Sequence, residues 1–519
     1  MIDRGSAPYV VALVLALMMT FLWGGALFQP TRFDELYHLL AARGWLETGS
    51  YQIGADGIYL RGAPITWSVA QLVDLFGEHL AVARLTALIP TVALVLLGGW
   101  WLTNRFGLAL GYTWVTLCIL SPFLIEVATF VRWYGLMALL VGIFFASVFE
   151  ASLPESPRRY RLITACLLLI STVAIALLQV ELLAPIALAG ILVAGRNVLV
   201  ELPRATVFRV VAVVAIIGAI VLLGLLISGI GLFLWGRYRL VVPWAAEHAN
   251  SPLFYHRYLL LYYPTLWPLT GVLWLIGRRL APNLADSAVT IAGVGLLFQA
   301  GAGLKATRYI AYLVPWLNLV WALGLVGIWQ YIKELDLQWP TSALARAVVA
   351  ASLAFVVLGN AASVRALTLA LGITVPPERP PADWAGTAEV LAPIAKEADI
   401  LISSSELEAL YAFGRIDYAV NHSLYHEVTL RYPKEPIVRD RRTGVRTFEH
   451  PRALQEVLEC HQSALVVSDV YRWRDPGKVP DDFADLVEKR LVELDLPPDS
   501  NMRAWQWTNP APNSFCPPH

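Results

Sequence analysis

The chain has 519 residues, of which 57% are hydrophobic and only 15% are charged. Its mean hydropathy is +0.59. Soluble domains are typically about 45–50% apolar and about 25% charged, so this composition excludes a soluble multidomain enzyme and a disordered chain. Lysine plus arginine number 39, as do aspartate plus glutamate, and this balance excludes the basic excess of a nucleic-acid-binding protein. We therefore expect a polytopic α-helical membrane protein.

Long apolar runs predict about eleven transmembrane helices, because roughly 20 apolar residues cross the core of a bilayer. The first run, from about Pro8 to Phe28, is longer than the core of a signal peptide and is interpreted as a retained helix. The other predicted spans are 80–102, 108–124, 134–150, 162–178, 181–195, 209–235, 258–277, 286–303, 308–331 and 346–371.

Basic residues in short loops predict the orientation, because cytoplasmic loops are enriched in lysine and arginine. One set of loops carries Arg105, Arg158, Arg159, Arg161, Arg196, Arg204, Arg278, Arg279 and Lys333. This set predicts a cytoplasmic N-terminus in the inner membrane, and an odd number of spans then places the C-terminus outside. The opposite side also carries basic residues, for which anion binding is a natural explanation: Arg32, Arg61, Arg132, Arg237, Arg239, Lys305 and Arg308.

The composition becomes that of a soluble domain after about residue 372. A linker with four prolines, 374–381, precedes strand-like runs at 400–402 and 464–467 and helical runs at 389–396 and 453–459. We expect a transmembrane domain over 1–372, whose first outer loop is 30–80, and an extracytoplasmic α/β domain over 373–519. Cys460 and Cys516 lie in that domain, where an oxidising compartment favours a disulfide over two free thiols.

Two adjacent acids, Asp34 and Glu35, follow the first predicted span. The leucines after them have helical spacing, which predicts an amphipathic helix on the membrane surface, and a second such helix is predicted from Ile65 to Phe76. The acids have two interpretations that the residues alone leave open. They suit the first turn of a helix, next to its positive dipole end, or they serve as a general base or metal ligands at the membrane boundary.

The stretch from Phe33 to Gly107 resembles the GT-C glycosyltransferases, in particular bacterial relatives of the dolichyl-phosphate-mannose protein mannosyltransferases and of the lipid A aminoarabinose transferase. The matching elements are Phe33-Asp34-Glu35 with Tyr37, Tyr59 with Gly62-Ala63-Pro64, Phe76-Gly77, Ala83-Arg84-Leu85 and Arg105-Phe106-Gly107. The resemblance implies a GT-C fold and inverting transfer of a sugar from a polyprenyl-phosphate donor on the outer face. Asp34 occupies the position of the general base, and Glu35 is its neighbouring acid.

The second outer loop departs from the family in one position. Family members have an acid two residues before the conserved arginine, but here Phe130 precedes Arg132 and Tyr134. Glu126 lies four residues earlier, about one helical turn, and can serve as the missing acid or as a packing acid. A carboxylate in a span is costly, which favours function. Glu181 in the next outer hairpin is a weaker candidate of the same kind.

Lys305 and Arg308 also match the family, in which an Arg-Tyr pair begins a late span. Three residues apart, they are expected on one helix face, where they would bind the donor's phosphate together with Arg132. The alternative is interfacial anchoring of their long side chains. The further candidates for substrate binding are Tyr37, His38, Tyr59, Arg61, Tyr134, Glu181, Arg237 and Tyr309.

The metal requirement stays open at this point. The four cysteines are scattered and show no zinc spacing, and no Walker-type or dinucleotide motif is present. Some relatives with this architecture use a divalent metal, whereas the protein mannosyltransferases do not need one. Asp34, Glu35 and Glu126 offer oxygen ligands of the kind that Mg²⁺ or Mn²⁺ prefers.

The leading hypothesis is thus a membrane glycosyltransferase with a lipid, glycan or protein acceptor. One rival is a transporter or flippase of a lipid-linked sugar, for which repeated halves with broken helices are typical, and the sequence shows no internal repeat. A second rival is a glycan polymerase or ligase that uses a diphosphate-linked donor.

Overall fold

The computed structural model describes residues 7–54, 56–153, 158–199, 230–239, 251–334, 342–373, 380–429, 435–448 and 450–509. The chain forms two compact units. The helical unit contains Met1–Gln29, Ala87–Val241 and Ala245–Ile373, and the sheet unit contains Pro30–Thr86, Val242–Trp244 and Thr374–His519. Residues 30–80, predicted as a loop of the transmembrane domain, therefore pack with C-terminal residues, while the predicted domain boundaries stay a prediction.

Helices form nearly all of the described residues of the helical unit. They are α1 Ala7–Ala26, the part of α4 (Leu80–Phe106) that follows residue 86, α5 Leu108–Ile119, α6 Pro122–Ala128, α7 Tyr134–Ser152, α8 Arg158–Gln179, α9 Leu183–Leu199, α10 Ile230–Arg239, α11 Phe254–Tyr262, α12 Thr270–Leu280, α13 Pro282–Gly301, α14 Val314–Glu334, α15 Ser342–Leu358 and α16 Ala361–Leu371. Two short 3₁₀ helices, Val180–Leu182 and Thr307–Ile310, connect α8 to α9 and precede α14.

Five helices of the described residues are long and apolar enough to cross a membrane, or seven if each of two bent pairs counts as one span. Helices α5 and α6 are bent by 66° at Ser121-Pro122, and α15 and α16 by 49°. Asn360 caps α16, because its side chain accepts a 3.0 Å hydrogen bond from Ser363 N. The predicted count of eleven spans stays a prediction.

The predicted span 258–277 is interrupted in the structure. The prediction of one helix over 258–277 is wrong, because α11 ends at Tyr262 and α12 begins at Thr270. Pro264 and Pro268 lie in the break, and proline lacks the N–H that would continue a helix. The span predicted over 209–235 lies mostly outside the described residues, as do Arg204, most of the linker 374–381 and Cys516.

The first loop folds into two helices and a hairpin, namely α2 Phe33–Thr48, β1 Gln52–Ile53, β2 Gly57–Ile58 and α3 Ala63–Phe76. The expectation that α2 lies on a membrane surface is wrong, because its side chains from Glu35 to Ala42 are all buried. A helix that is buried on every side is a core helix. Gly49, in the left-handed conformation at φ 73°, ends α2, and the backbone then turns into β1.

The C-terminal residues form a seven-stranded sheet with helices, as the alternating runs predicted. Its strands are β3 Ile400–Ser403, β4 Tyr418–Ala419, β5 Ile437–Arg439, β6 Arg446–Phe448, β7 Ser463–Asp469, β8 Val492–Leu494 and β9 Met502–Thr508. Its helices are α17 Trp384–Glu397, α18 Glu406–Phe413, α19 His422–Thr429, α20 Pro451–Cys460 and α21 Asp481–Arg490.

The sheet order is β5-β6-β4-β3-β7-β9-β8, in which β6, β4, β3 and β7 are parallel and the outer pairs are antiparallel. The central strands β3 and β7 are buried along almost their whole length, which explains their continuous apolar runs. Cys460 is disulfide-bonded, while its predicted partner Cys516 lies outside the described residues. Among the described cysteines, Cys118 and Cys166 are free.

Candidate active site

Asp34 lies in the first turn of α2 and is half-buried. Arg32 is the residue that precedes the helix, and its backbone N–H donates a 2.9 Å hydrogen bond to Glu35 Oε2. Both acids therefore face the positive end of the helix dipole, which favours negative charge there. The helix places the Asp34 carboxylate at a partly accessible position, as a base that must reach a substrate requires.

Glu35 differs from its neighbour because it is buried and paired. Arg84 Nε lies 2.9 Å from Glu35 Oε1, and Arg84 Nη2 lies 2.7 Å from Glu35 Oε2. Neither side chain is exposed. Arg84 also donates from Nη2 to the Pro30 carbonyl at 2.9 Å. This bidentate arrangement fixes the start of α2 to the start of α4, and it suits anchoring better than proton transfer.

The predicted aromatic residues of the first loop come together beside α2. The Tyr37 and Tyr59 rings stack at 4.7 Å, and the His38 ring meets Tyr59 edge-on at 5.4 Å. His38 Nδ1 shares a 2.8 Å hydrogen bond with Thr66 Oγ1 of α3. Arg61, in contrast, is exposed in the loop before α3. The structure thus unites three of these four candidates in one packed cluster.

In the helical unit, Glu126 and the late candidate loop meet. Thr307 Oγ1 donates a 3.0 Å hydrogen bond to Glu126 Oε2. Glu126 belongs to α6, which begins at Pro122 and is bent relative to α5. Thr307 begins the 3₁₀ helix before α14. The bend therefore brings the second predicted outer loop against the loop that carries Arg308.

Arg132 and Arg308 lie against different rings that all contact Tyr134. Arg132 is 4% exposed, and its guanidinium lies 5.2 Å from the Trp133 ring. The Arg308 guanidinium lies 5.5 Å from the Phe130 ring, and that ring stacks on Tyr134 at 6.1 Å. A small cleft is lined by Tyr134, Met137, Gln179, Leu182, Arg308, Tyr309 and Tyr312. Phe130, at the position where the GT-C relatives have an acid, thus places its ring against the Arg308 guanidinium.

The prediction that Lys305 and Arg308 share a helix face is wrong. Helix α13 ends at Gly301, and Lys305 lies in an extended segment before the 3₁₀ helix that contains Arg308. Ala306 has φ −151° and ψ 150°, an extended conformation that separates the two basic residues. Lys305 Nζ donates to the Ala302 carbonyl. Burial, followed by the positive charge of Arg239, lowers the pKa of the Lys305 ammonium.

The two remaining candidates, Glu181 and Arg237, are not part of the contacts described above. Glu181 is half-buried in the 3₁₀ helix Val180–Leu182. The neighbouring Gln179 accepts a 3.3 Å hydrogen bond from Trp133 Nε1 through its Oε1. Arg237 belongs to α10, but its side chain lies outside the described residues.

The described part of the chain offers no preformed metal site. No group of three or more His, Cys, Asp or Glu side chains there is arranged to hold a metal ion. Both Glu35 oxygens bind Arg84, so a metal would have to replace these contacts.

An apolar cavity of about 980 Å³ lies within the helical unit. Its walls come from α4, α5, α7, α8, α13 and α14, and Pro315 and Trp316 at the start of α14 line one part of it. The walls also include Arg105 and Glu150, whose side chains form a 3.0 Å ion pair. A cavity of this size and lining is suited to a flexible hydrocarbon chain.

Two residues of these contacts, Arg84 and Thr307, had no predicted role. Arg84 is a charged residue at the start of the predicted span 80–102, and such residues generally have a partner or a function. Thr307 lies between Lys305 and Arg308, but a threonine has no distinctive sequence signature.

The comparisons with known structures identify the fold. ArnT from Cupriavidus metallidurans in the apo state has a TM-score of 0.60 and 13% identity, over 96% of this chain and 98% of ArnT. ArnT bound to undecaprenyl phosphate has a TM-score of 0.59 and 14% identity, over 97% and 98% of the two chains. The Archaeoglobus fulgidus oligosaccharyltransferase, in complex with zinc and sulfate, has a TM-score of 0.52 and 11% identity, over 94% of this chain and 72% of its own.

No protein-family model matches the sequence, and no curated protein is similar to it. The structural similarity therefore establishes the fold, which is the GT-C fold that the residues of the first loop predicted.

Proposed function

We propose that this protein is an inner-membrane glycosyltransferase that moves a sugar from a polyprenyl-phosphate donor to a hydroxyl acceptor on the outer face. The main support is the fold shared with ArnT over almost the full length of both chains, because one of those ArnT structures holds undecaprenyl phosphate. The acceptor is a hydroxyl of a lipid, glycan or protein. The proposed topology has a cytoplasmic N-terminus and an extracytoplasmic C-terminal domain.

Asp34 is the proposed general base. Its carboxylate accepts the proton of the acceptor hydroxyl while that oxygen attacks the anomeric carbon of the donor sugar. The bond from this carbon to the phosphate oxygen breaks, its electron pair stays on the polyprenyl phosphate, and the configuration at carbon inverts. The half-buried position of Asp34 at a helix N-terminus supports this role, whereas the paired carboxylate of Glu35 supports a positioning role.

Arg308 and Arg132, with Lys305, are the proposed ligands of the donor phosphate. The leaving group already carries negative charge, so it needs cations rather than an acid, and guanidinium groups match phosphate oxygens geometrically. The aromatic side chains beside them, Tyr134 and Tyr309, suit packing against the sugar. The apolar cavity that is lined in part by the start of α14 would take part of the polyprenyl chain.

The rival functions make different demands on these residues. A flippase would bind the same phosphate with Arg132 and Arg308 but would not need a base at Asp34. A polymerase or ligase would cleave a diphosphate-linked donor. Dependence of transfer on the Asp34 carboxylate, with a monophosphate donor, therefore separates the three functions.

The experiment is sugar transfer by the purified chain in liposomes that contain a polyprenyl-phosphate sugar and an envelope fraction as acceptor. Asp34→Asn should lower the rate at least about 100-fold, the smallest effect typical of a lost general base. Asp74→Asn is the matched control, because Asp74 is an exposed acid on α3 of the same loop. Full activity of Asp34→Asn would exclude Asp34 as the base.

A further inference from the structure

Two arginines of the C-terminal domain lie against aromatic rings near Asp34. The rings are Phe33, directly before Asp34, and Tyr37, three residues after it. The Arg472 guanidinium carbon lies 5.7 Å from the centroid of the Phe33 ring. The Arg442 guanidinium carbon lies 5.4 Å from the centroid of the Tyr37 ring. Both distances are within the range of about 6 Å in which a cation is attracted to a ring face. All four residues belong to the sheet unit.

Carboxylates hold Arg472 in this position. Its Nη1 lies 2.6 Å from Asp469 Oδ2 and also pairs with Glu408 of α18. Its backbone N–H donates a 2.9 Å hydrogen bond to Asp469 Oδ1. Because the guanidinium is bound by two acids from different elements, its place over the Phe33 ring is fixed by the domain and not by the ring alone.

Arg442 is held in the same way. Its Nη1 lies 2.8 Å from Glu427 Oε1 of α19, and its Nη2 lies 2.9 Å from Asp440 Oδ2. The backbone beside it also meets the first loop, since Ile58 N–H donates a 3.1 Å hydrogen bond to the Arg441 carbonyl. The turn between β5 and β6 therefore contacts the first loop through both backbone and side chain.

The position of Arg472 in the sheet explains how the C-terminal domain reaches α2. Asp469 ends β7 and Arg472 follows it, so the Phe33 contact comes from the carboxyl end of a central parallel strand. In open α/β sheets this edge is the usual place for a ligand. Here the edge holds the N-terminal turn of α2, a segment of the same chain.

The contacts of Phe33, Tyr37 and Glu35 fix the rotation of α2 about its own axis. Phe33 and Tyr37 are four residues apart and share one face of the helix. Glu35 lies two residues from each, about 200° around the helix, and is bound to Arg84 on that other face. Asp34 lies between these two faces, so contacts on both sides determine the direction of its carboxylate.

We infer that Arg442 and Arg472 are positioning residues that hold α2 in the orientation in which Asp34 acts. This role rests on the proposed function, since it assumes that Asp34 performs catalysis. It gives the C-terminal domain a part in the transfer step itself, in addition to any part in acceptor recognition. Neither arginine needs to contact the substrate for this role.

The test compares Arg472→Met and Arg442→Met with Arg503→Met in the full-length protein. Arg503 is the matched control, because its guanidinium lies 4.7 Å from the Trp505 ring and pairs with Glu488 and Glu493, which all belong to the C-terminal residues. Two quantities are measured, namely amide hydrogen exchange over residues 33–40 and the kcat and donor KM of transfer. Arg472→Lys and Phe33→Leu are the additional variants, which keep the charge and remove the ring, respectively.

The expected result is faster exchange over 33–40 in both methionine variants and a kcat lowered about 10- to 100-fold, as for a misplaced catalytic group, with little change in donor KM. Arg503→Met should leave both quantities as in the wild type. Arg472→Lys should recover part of the loss, and Phe33→Leu should give no further loss when combined with Arg472→Met.

Unchanged exchange over 33–40 in both methionine variants would overturn the inference. Faster exchange with an unchanged kcat would also overturn it, because α2 would then be held for stability alone. If the wild type transfers no sugar at all, the proposed function fails, while the exchange measurement still decides whether the two arginines hold α2. The two failures are therefore distinguishable.

Discussion

Arg84 binds Glu35 with two hydrogen bonds of 2.9 and 2.7 Å, and neither side chain is exposed to solvent. This pair connects the helix that carries Asp34 to the start of α4. It also separates the roles of two adjacent acids, because Glu35 is committed to an arginine while Asp34 stays at a partly accessible position.

The first prediction concerns the stability that this pair provides. Arg84→Met leaves a buried, uncompensated carboxylate and should lower the free energy of unfolding by about 3–5 kcal/mol. The double variant Arg84→Met with Glu35→Leu should recover much of the loss, because neither charge then remains buried. Thermal unfolding in detergent measures both variants.

The matched control for this prediction is Arg43→Met. Arg43 of α2 pairs with Glu78, but the two side chains are 34% and 51% exposed, and such solvent-accessible pairs contribute only about 0–1 kcal/mol. Equal unfolding temperatures for Arg84→Met and Arg43→Met would contradict the importance of the buried pair.

The second prediction concerns donor binding by Arg308. Arg308→Met removes a forked cation and should weaken binding of polyprenyl phosphate about tenfold or more, whereas Arg308→Lys keeps the charge and should lose less. Binding of polyprenyl phosphate to the protein in nanodiscs gives the measurement. Arg439→Met is the control, because this half-exposed arginine pairs with Asp56 in the sheet unit. Wild-type affinity in Arg308→Met would remove Arg308 from the proposed phosphate site.

The third prediction concerns the pH dependence of stability. Glu406 is buried at the start of α18, and burial raises the pKa of its carboxyl above the ordinary value of 4.5. The folded state therefore favours the protonated form, and stability falls as the pH rises from 4.5 through the raised pKa. Glu406→Gln removes this loss of stability. Its unfolding temperature should therefore equal that of the wild type below pH 4.5 and exceed it at neutral pH.

Glu389→Gln is the control for that measurement, because Glu389 is exposed on α17. It should unfold at the wild-type temperature across the whole pH range. A temperature difference between Glu406→Gln and the wild type that does not vary with pH would show that the Glu406 charge is not the cause.

The sequence predicted the fold class because local patterns determine it. Apolar runs predicted most of the described long helices, and alternating strand and helix patterns predicted the C-terminal sheet. The GT-C fold was recognised from Phe33, Asp34 and the elements that follow them. Helix breaks were harder to predict, because Pro264 and Ser121-Pro122 lie inside runs that are apolar throughout.

The site was less predictable, because its contacts join residues that are distant in sequence. Arg442 and Arg472 lie about 400 residues after the rings that they contact, and a single sequence contains no information on such pairs. The burial of α2 was missed in part for the same reason, since α18 of the C-terminal domain packs on it together with α3 and β1 of the first loop. Lys305 was misplaced because three-residue spacing implies one face only within a helix.

The fate of the sugar–phosphate bond tests the central claim most directly. Liposomes with the wild-type protein, a labelled polyprenyl-phosphate sugar and an envelope acceptor should release polyprenyl monophosphate as the sugar is transferred. Liposomes with Asp34→Asn should release almost none. Translocation of the intact donor across the bilayer, or cleavage only of a diphosphate-linked sugar, would contradict the proposed function.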